Sequence, residues 1–395
     1  MEKKYKLAGF IIPTTVGIFN ILIILFPVDM IAAARDGLWL WSNSVVPSLL
    51  PFVILINILS ASGALALISR LLEPMMRPLF GVSGIGGFAF TAGMVSGYPV
   101  GAKITAQLRA DGLITRIEAQ RLLAFCNNSG PLFILGAVGV SMFGSAKLGY
   151  FIMVTHYISA LITGLIFRYY GTKSDAPLPH RAWKAPGSER PLVSGSQSRP
   201  PSFGAVLGSS VKNAVETLAL VGGFIILFSV IVKIMEITHL AGFASPLLGG
   251  VLGVSNQTAG GLLTGIIEVT NGARAISGDN FSREQITAVC AVIAFGGFCI
   301  HAQTISFIAH TDIKASVYLI AKAMQAVIAA AAASLLFPFV VLTEEVSVPV
   351  FLTMESPFWQ KLLFSTASFV VLGVVASALA GIAAWRTSRW ARRKR

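Results

Sequence analysis

Charge is what this chain has least of. Aspartate, glutamate, lysine and arginine together make up 12% of its 395 residues, about half the share of an ordinary soluble domain. A water-soluble fold with 55% apolar residues would expose large greasy patches. That class is excluded, and a polytopic membrane protein is expected. Cysteine is scarce as well, with three in the chain. Cys126, Cys290 and Cys299 lie in apolar runs without CxxC spacing, which leaves no disulfide scaffold or zinc site and predicts small buried side chains. Catalytic signatures are missing too. No HExxH, GxSxG, P-loop or GxGxxG pattern occurs, nor any nucleophile–base constellation, so we expect no enzyme, no metal and no cofactor.

Acids are scarcer than bases, 17 against 30. The resulting net charge of +13 could be an electrostatic footprint for nucleic acid, but the bases form no aromatic-interleaved patch. They gather at residues 2–6, in the segment 173–199 and in the terminal RTSRWARRKR. Cytoplasmic retention puts bases in such places, so the charge reads as topology and no nucleic acid is expected.

What is present is a series of long apolar runs, each to be compared with the roughly 20 residues a span needs. Leu7–Val28 qualifies, and it is longer than the apolar core of a signal peptide, so an uncleaved first span is expected. Ser44–Leu67 qualifies despite Pro47, Pro51 and Asn57. The stretch 79–107 is apolar but broken by glycines and Pro99, and 121–142 and 148–169 follow. Residues 171–202, rich in proline, serine, glycine and charge, read as a solvated linker. The second half resumes with 213–235, a glycine-broken stretch 245–275, then 286–309 and 315–342. An acidic loop at 343–357, a last span Lys361–Trp385 and the basic tail complete the chain.

The halves resemble each other. LFGVSG (79–84) matches VLGVSN (251–256). GYPVGAK (97–103) matches VTNGAR (269–274), and AF recurs at 124–125 and 294–295. Asn43 and Asn213 fall in the same frame. An offset that stays near 170 residues through four ordered matches indicates a duplicated unit. With the basic N-terminus inside, the first unit starts outside and ends at the basic linker. The second starts inside and ends at the acidic loop. Two copies entering from opposite sides form an inverted repeat. The expectation is therefore an all-α polytopic membrane protein with about eight transmembrane helices and two re-entrant helical hairpins. Its parts are an anchor (1–37), a first unit (38–170), the cytoplasmic linker (171–202), a second unit (203–342) and the terminal loop, helix and tail (343–395), with both termini cytoplasmic.

Three broken stretches carry the chemistry. In GMVSGYPVGAKI (93–104), close packing explains Gly93 but not Pro99, which removes a backbone donor. In lipid such a break must be covered by protein or line a watery cavity, and its half-helix amides attract anions. Ser96, Tyr98 and Lys103 are candidates there. A lysine inside a membrane costs about 2.5–3.5 kcal/mol even on the lenient scale, although snorkelling to the interface also accounts for Lys103. Arg274, its counterpart, carries the same two readings. In GIIEVTNGAR (265–274), Glu268 either pairs with Arg274 or Lys103 or titrates as a coupling carboxylate, and Thr270 and Asn271 offer hydrogen bonds. In FCNNSGPLF (125–133), Asn127, Asn128 and Ser129 break an apolar run. Their counterpart FGGFCIHAQTI (295–305) supplies His301, as ligand or proton carrier, and Gln303. Lys212 and Glu216, four apart, read as a helical ion pair. Lys233 reads as snorkelling, and Lys322 also touches an apolar run.

FTAGMVSGYPVGAK, CNNSGPLFI, GIIEVTNGAR and GGFCIHAQ resemble the sporulation integral membrane proteins of endospore-forming bacteria, within the broader Gate, or nucleoside-recognition, group. The likeness covers roughly residues 38–340. It implies a place in the outer forespore membrane, other sporulation membrane proteins as partners beside the lipid bilayer, and movement of dipicolinic acid from the mother cell. Relatives of the Gate group resemble concentrative nucleoside transporters. Dipicolinate, a flat dianion, suits broken-helix amides with Lys103 and Arg274 at its carboxylates and Tyr98 on its ring. A nucleoside carrier of the same architecture and a non-transporting sporulation protein are the alternatives.

Overall fold

A computed structural model describes residues 2–61, 64–172, 202–278 and 282–342, and every regular element in them is helical. Nearly all of the linker, together with the acidic loop, Lys361–Trp385 and the basic tail, lies outside the described residues.

The chain opens with α1 (Glu2–Leu25) and α2 (Pro27–Leu40). The expected first span, Leu7–Val28, is helical through Leu25 as part of α1, and the chain then turns by 103° into α2. Pro27 is the cause. It disfavours helical geometry at the residue before it, and Phe26 sits at φ −124°, ψ 55°. A π-helical turn, Trp41–Val45, leads into α3 (Val46–Ala61), which is followed by α4 (Ala64–Phe80). The sequence reading missed α4 as a separate helix. Arg70, Glu73 and Arg77 punctuate its apolar residues, so it has two faces and reads poorly as a span.

The first glycine-broken stretch is a hairpin of α5 (Gly86–Ser96) and α6 (Val100–Ala110), which pack against each other across the turn Gly97–Tyr98–Pro99. Next come α7 (Arg116–Cys126), an unwound segment, a π-helical run Leu132–Met142, and α8 (Ala146–Phe167). The second half follows the same order. Its long helix is α9 (Phe203–Ile237), and α10 (Leu240–Leu252) is separate from the hairpin, which narrows from the expected 245–275 to α11 (Asn256–Ile267) and α12 (Val269–Ile276). The broken pair α13 (Arg283–Phe295) and α14 (Gly297–Ile308) precedes α15 (Ala315–Leu342).

Among the described residues, four stretches are long and apolar enough to cross a bilayer: Ala146–Phe167, Phe203–Ile237, Arg283–Ile308 and Ala315–Pro338. The bent pair α1–α2 makes a fifth. Seven of the eight expected spans fall on described residues, and two of those seven, 44–67 and 121–142, are not among the five, since α3 and the π-helical run are apolar but short.

Local details recur as well. α4 and α10 both end on a left-handed glycine, Gly81 at φ 63° and Gly253 at φ 67°. Two residues on, the Ser83 amide donates to Glu118 Oε1 (2.9 Å) and the Ser255 amide to Glu284 Oε1 (3.2 Å). Those glutamates open α7 and α13, and both helices begin with a capping box, Thr115 with Glu118 and Ser282 with Gln285. Each box satisfies two orphan amides reciprocally.

The hydrophobic core is shared between the halves. One cluster joins Phe80, Phe90, Leu122 and Phe125 to Ile308, Ile313 and Tyr318. The other joins Ile134, Val138 and Ile152 to Val269, Ile276, Ile293 and Ala329. The first hairpin opens beside the α14–α15 turn, where Arg109 bonds Asp312 at 2.8 Å. The second opens beside the start of α13, where Gln285 Nε2 donates to the Ile276 carbonyl at 3.0 Å. Large apolar side chains such as Val28, Phe243 and Leu335 point outward, as a lipid-facing surface requires.

The hairpins pack backbone to backbone. A Cβ on Gly93 would lie 1.9 Å from the Cys126 carbonyl oxygen, and one on Gly272 would lie 2.1 Å from the Gly265 Cα. Gly223 on α9 has nothing within 4 Å of such an atom. Gly93→Ala and Gly272→Ala should each destabilise the detergent-purified protein by about 1–3 kcal/mol. Gly223→Ala should leave its thermal midpoint unchanged or slightly higher. Equal midpoints for all three would contradict this packing.

Candidate functional site

The unwound residues 127–130 lie between α7 and Pro131, from which the helix resumes. The Gly130 carbonyl takes the Ile134 amide (3.1 Å), but the groups before it are outside the helical ladder, and hydrocarbon offers no partners. Side chains supply them. The Ser129 amide donates to His156 Nε2 on α8 (3.1 Å), and Tyr157 OH donates to the Ser129 carbonyl (3.2 Å) and the Met94 carbonyl (3.0 Å). Asn128 Nδ2 caps the end of α7 at the Phe125 carbonyl (2.6 Å).

From here a polar network crosses into the second half. Asn127 Nδ2 donates to Thr304 Oγ1 (2.9 Å) and Tyr318 OH (3.0 Å), and Tyr318 OH meets His301 Nδ1 at 3.2 Å. Lys322 Nζ donates to the Asn127 carbonyl (3.0 Å) and Gln325 Oε1 (2.6 Å), while Gln325 Nε2 donates to Asn128 Oδ1 (3.2 Å). Asn128 and Gln325 are 0% exposed and Lys322 1%, so a lysine amine and several amides sit where water does not reach. His301 is further fixed by edge-on contact with Phe295, ring centroids 4.5 Å apart.

At the second hairpin's tip, Glu268 is the N-cap of α12. Its Oε1 accepts the Thr270 amide (3.0 Å) and its Oε2 the Asn271 amide (2.8 Å). A carboxylate suits the positive end of a helix. Of the two readings of Glu268, the pairing one is not met: neither Lys103 nor Arg274 forms an ion pair with it among the described residues.

The structure therefore divides the twelve predicted site residues. Asn127, Asn128, Ser129 and His301 form the network. Gln303 is buried on α14 and donates to Cys299 Sγ at 3.4 Å. Ser96 is buried near the first hairpin's tip, and Tyr98 at that tip packs against the cluster holding Val269 and Ala273 of the second hairpin. Thr270 and Asn271 take part through backbone amides. Lys103 is engaged elsewhere. Four residues past Pro99, it faces α9 and donates to Thr217 Oγ1 (2.5 Å) and the Asn213 carbonyl (3.5 Å). Arg274 is exposed. Lys212 and Glu216 do form the expected ion pair at 4.0 Å, and Lys233 lies beside Glu236 (3.3 Å) and Asp29 (3.9 Å). All three cysteines are free and buried.

Lys322, Gln325, Tyr318, Thr304, His156 and Tyr157 were missed as site residues. For Lys322 the signal was present, since it is the only charged residue in the 28 of α15. For the others there was none, because single polar residues at helical spacing are common on any buried face.

On the face where the first hairpin opens, a shallow depression of about 360 Å³ is lined by Arg109, His310 and Asp312. The guanidinium beside it holds the Asp312 carboxyl below the usual carboxylate range.

A family model described as nucleoside recognition, Gate, matches residues 43–172, from the π-helical turn to the end of α8. The sporulation integral membrane protein YlbJ of Bacillus subtilis (strain 168) is 38% identical over 325 residues, which cover 80% of this chain and 79% of that one. The uncharacterized protein YjiH of Escherichia coli (strain K12) is 30% identical over 142 residues, 35% of this chain and 58% of that one. A solved structure of CNTnw in an outward-facing state is 15% identical, with a TM-score of 0.43 over 85% of this chain and 88% of that chain.

If Glu268 serves as a cap, Glu268→Ala should lower stability by about 1–2 kcal/mol. Glu268→Gln, which keeps one acceptor, should retain more than half of that. Thermal midpoints of the purified variants decide it, and a glutamine variant as weak as the alanine one would refute the cap.

Proposed function

Because this chain belongs to the family of sporulation integral membrane proteins, we propose that it is a carrier for a small organic anion, dipicolinic acid moved from the mother cell across the outer forespore membrane. One observation carries this reading. The unwound segment of the first half is held by buried polar side chains of the second, Lys322 among them, inside a shell whose outer surface is apolar. A purely structural membrane bundle has no use for that arrangement, since ionisable groups inside membranes are costly and mark transport paths.

The architecture we propose is two oppositely oriented Gate-like units, 38–170 and 203–342. The shared order of elements, the paired left-handed glycines and the paired serine–glutamate bonds support a repeat. The opposite ends at which the two hairpins open support its inversion. The face carrying Arg109, Arg116 and Lys314 is then the cytoplasmic one by the charge rule. The network is sealed from both faces in this conformation, so transport requires one unit to rock against the other and expose it alternately.

Dipicolinate is dianionic at neutral pH, and a buried cation with surrounding donors suits it. The nucleoside-recognition match over 43–172 favours nucleosides as the competing cargo. Vesicles containing only this protein should accumulate labelled dipicolinate and not uridine, with a rate that changes when a proton gradient is imposed if transport is proton-coupled. Uridine flux without dipicolinate flux would install the competing reading. No flux of either would leave a non-transporting sporulation protein.

A further inference from the structure

Lys322 has three ammonium hydrogens. Two are used, on the Asn127 carbonyl and Gln325 Oε1. No aspartate or glutamate forms an ion pair with it among the described residues. A buried charge without a counter-ion is among the least favourable arrangements a fold can keep, which makes its surroundings informative.

Those surroundings hold buried N–H groups that lack acceptors. His156 Nε2 accepts the Ser129 amide, so in the neutral ring the proton sits on Nδ1, and that buried atom has no acceptor. Tyr318 OH accepts from Asn127 and Thr304 and so turns its own hydrogen to His301 Nδ1. The His301 proton is then on Nε2, again buried and unaccepted. The Ser129 hydroxyl is a third such donor. Two acceptors, Asn127 Oδ1 and Gln303 Oε1, are also unpartnered, but they carry no charge. Each of these donors is within one or two hydrogen bonds of residues 127–129 or of the helix that bears Lys322.

We propose that Lys322 is the electrostatic anchor of this site and takes one carboxylate of a small aromatic acid, with the His156 and His301 N–H groups as accompanying donors. The inference rests on the carrier reading above and deepens it. The cargo must bear at least one carboxylate, the lysine that binds it is on α15, and Lys103 and Arg274 are not the anchors. A neutral nucleoside would leave the ammonium without a counter-charge.

The test uses the whole protein purified in detergent and three probes: pyridine-2,6-dicarboxylate, pyridine-2-carboxylate and the neutral pyridine-2,6-dicarboxamide. Both acids should raise the thermal midpoint and the diamide should not. Lys322→Met should abolish the rise with either acid, while its own midpoint without ligand stays equal to or above wild type. Lys322→Gln, which keeps a donor and loses the charge, should behave likewise and serves if the methionine variant does not purify as a single species. In vesicles, both variants should raise the KM for dipicolinate by about 30-fold or more. Stabilisation by the diamide equal to that by the acids, no response of wild type to either acid, or a full acid response in both variants each overturns the anchor. Binding by wild type without vesicle flux sinks the carrier reading and leaves the anchor standing. Flux with an unchanged KM in both variants does the reverse.

Discussion

Inside a bilayer, a helix can be interrupted only where protein satisfies the backbone groups that the interruption frees. That requirement organises this molecule. The break at 127–130 is met by His156, Tyr157 and Lys322, side chains of two helices from different halves of the chain. The break at Glu268 is met by its own carboxylate. The turn at Gly97–Pro99 is pressed against the first break, with Gly97 close to the Gly130 amide, and Gly297 is pressed against the Gly265 and Ile267 carbonyls of the second hairpin. Each hairpin tip thus abuts the interruption of the span that follows it. The glycines permit the approach, and the approach excludes lipid and water together.

Satisfying the breaks forces the halves together. The first half holds only part of the set of partners that its unwound segment uses. Asn127 and Asn128 reach Thr304, Tyr318 and Gln325, and the two hydrophobic clusters each draw on both halves. A polar network spread over two bodies is a natural place for a binding site, because moving one body against the other must open or rearrange it. It is also expensive to close incorrectly, since every unmade bond in a low-dielectric interior carries its full desolvation cost.

Much of this was legible in the sequence, for physical reasons that also set the limits. Gly-Tyr-Pro and Asn-Asn-Ser-Gly-Pro stand out because hydrocarbon tolerates neither polar residues nor helix breakers without cause. They fall at the first hairpin's tip and in the unwound segment. The long apolar run of α15 was read to its end at Leu342. What failed was anything set by three-dimensional facing. The bend at Phe26 hangs on one Pro27 in a run that looks continuous, and α4 mixes charge with apolar residues, so a hydropathy reading folds it into its neighbours. Lys103 stood in a broken motif and drew the attention that Lys322, in an unbroken run, did not. Sequence context marks where a helix stops; it does not mark which way a side chain on an intact helix points.

The two lysines show why facing decides function. Lys103 meets a threonine hydroxyl and a carbonyl on α9 and is only partly buried, so its stem can pack while its head is solvated by fixed dipoles. Lys322 is enclosed, its two acceptors are neutral, and the unpartnered N–H groups of His156 and His301 in the same network are donors like itself. Donors do not compensate a cation. An arrangement of this kind is unfavourable when empty and becomes favourable when an acceptor-rich anion enters, so the free energy of forming it is recovered in binding. The same opposition makes the site selective: any cargo that brings donors without negative charge leaves it as uncompensated as before.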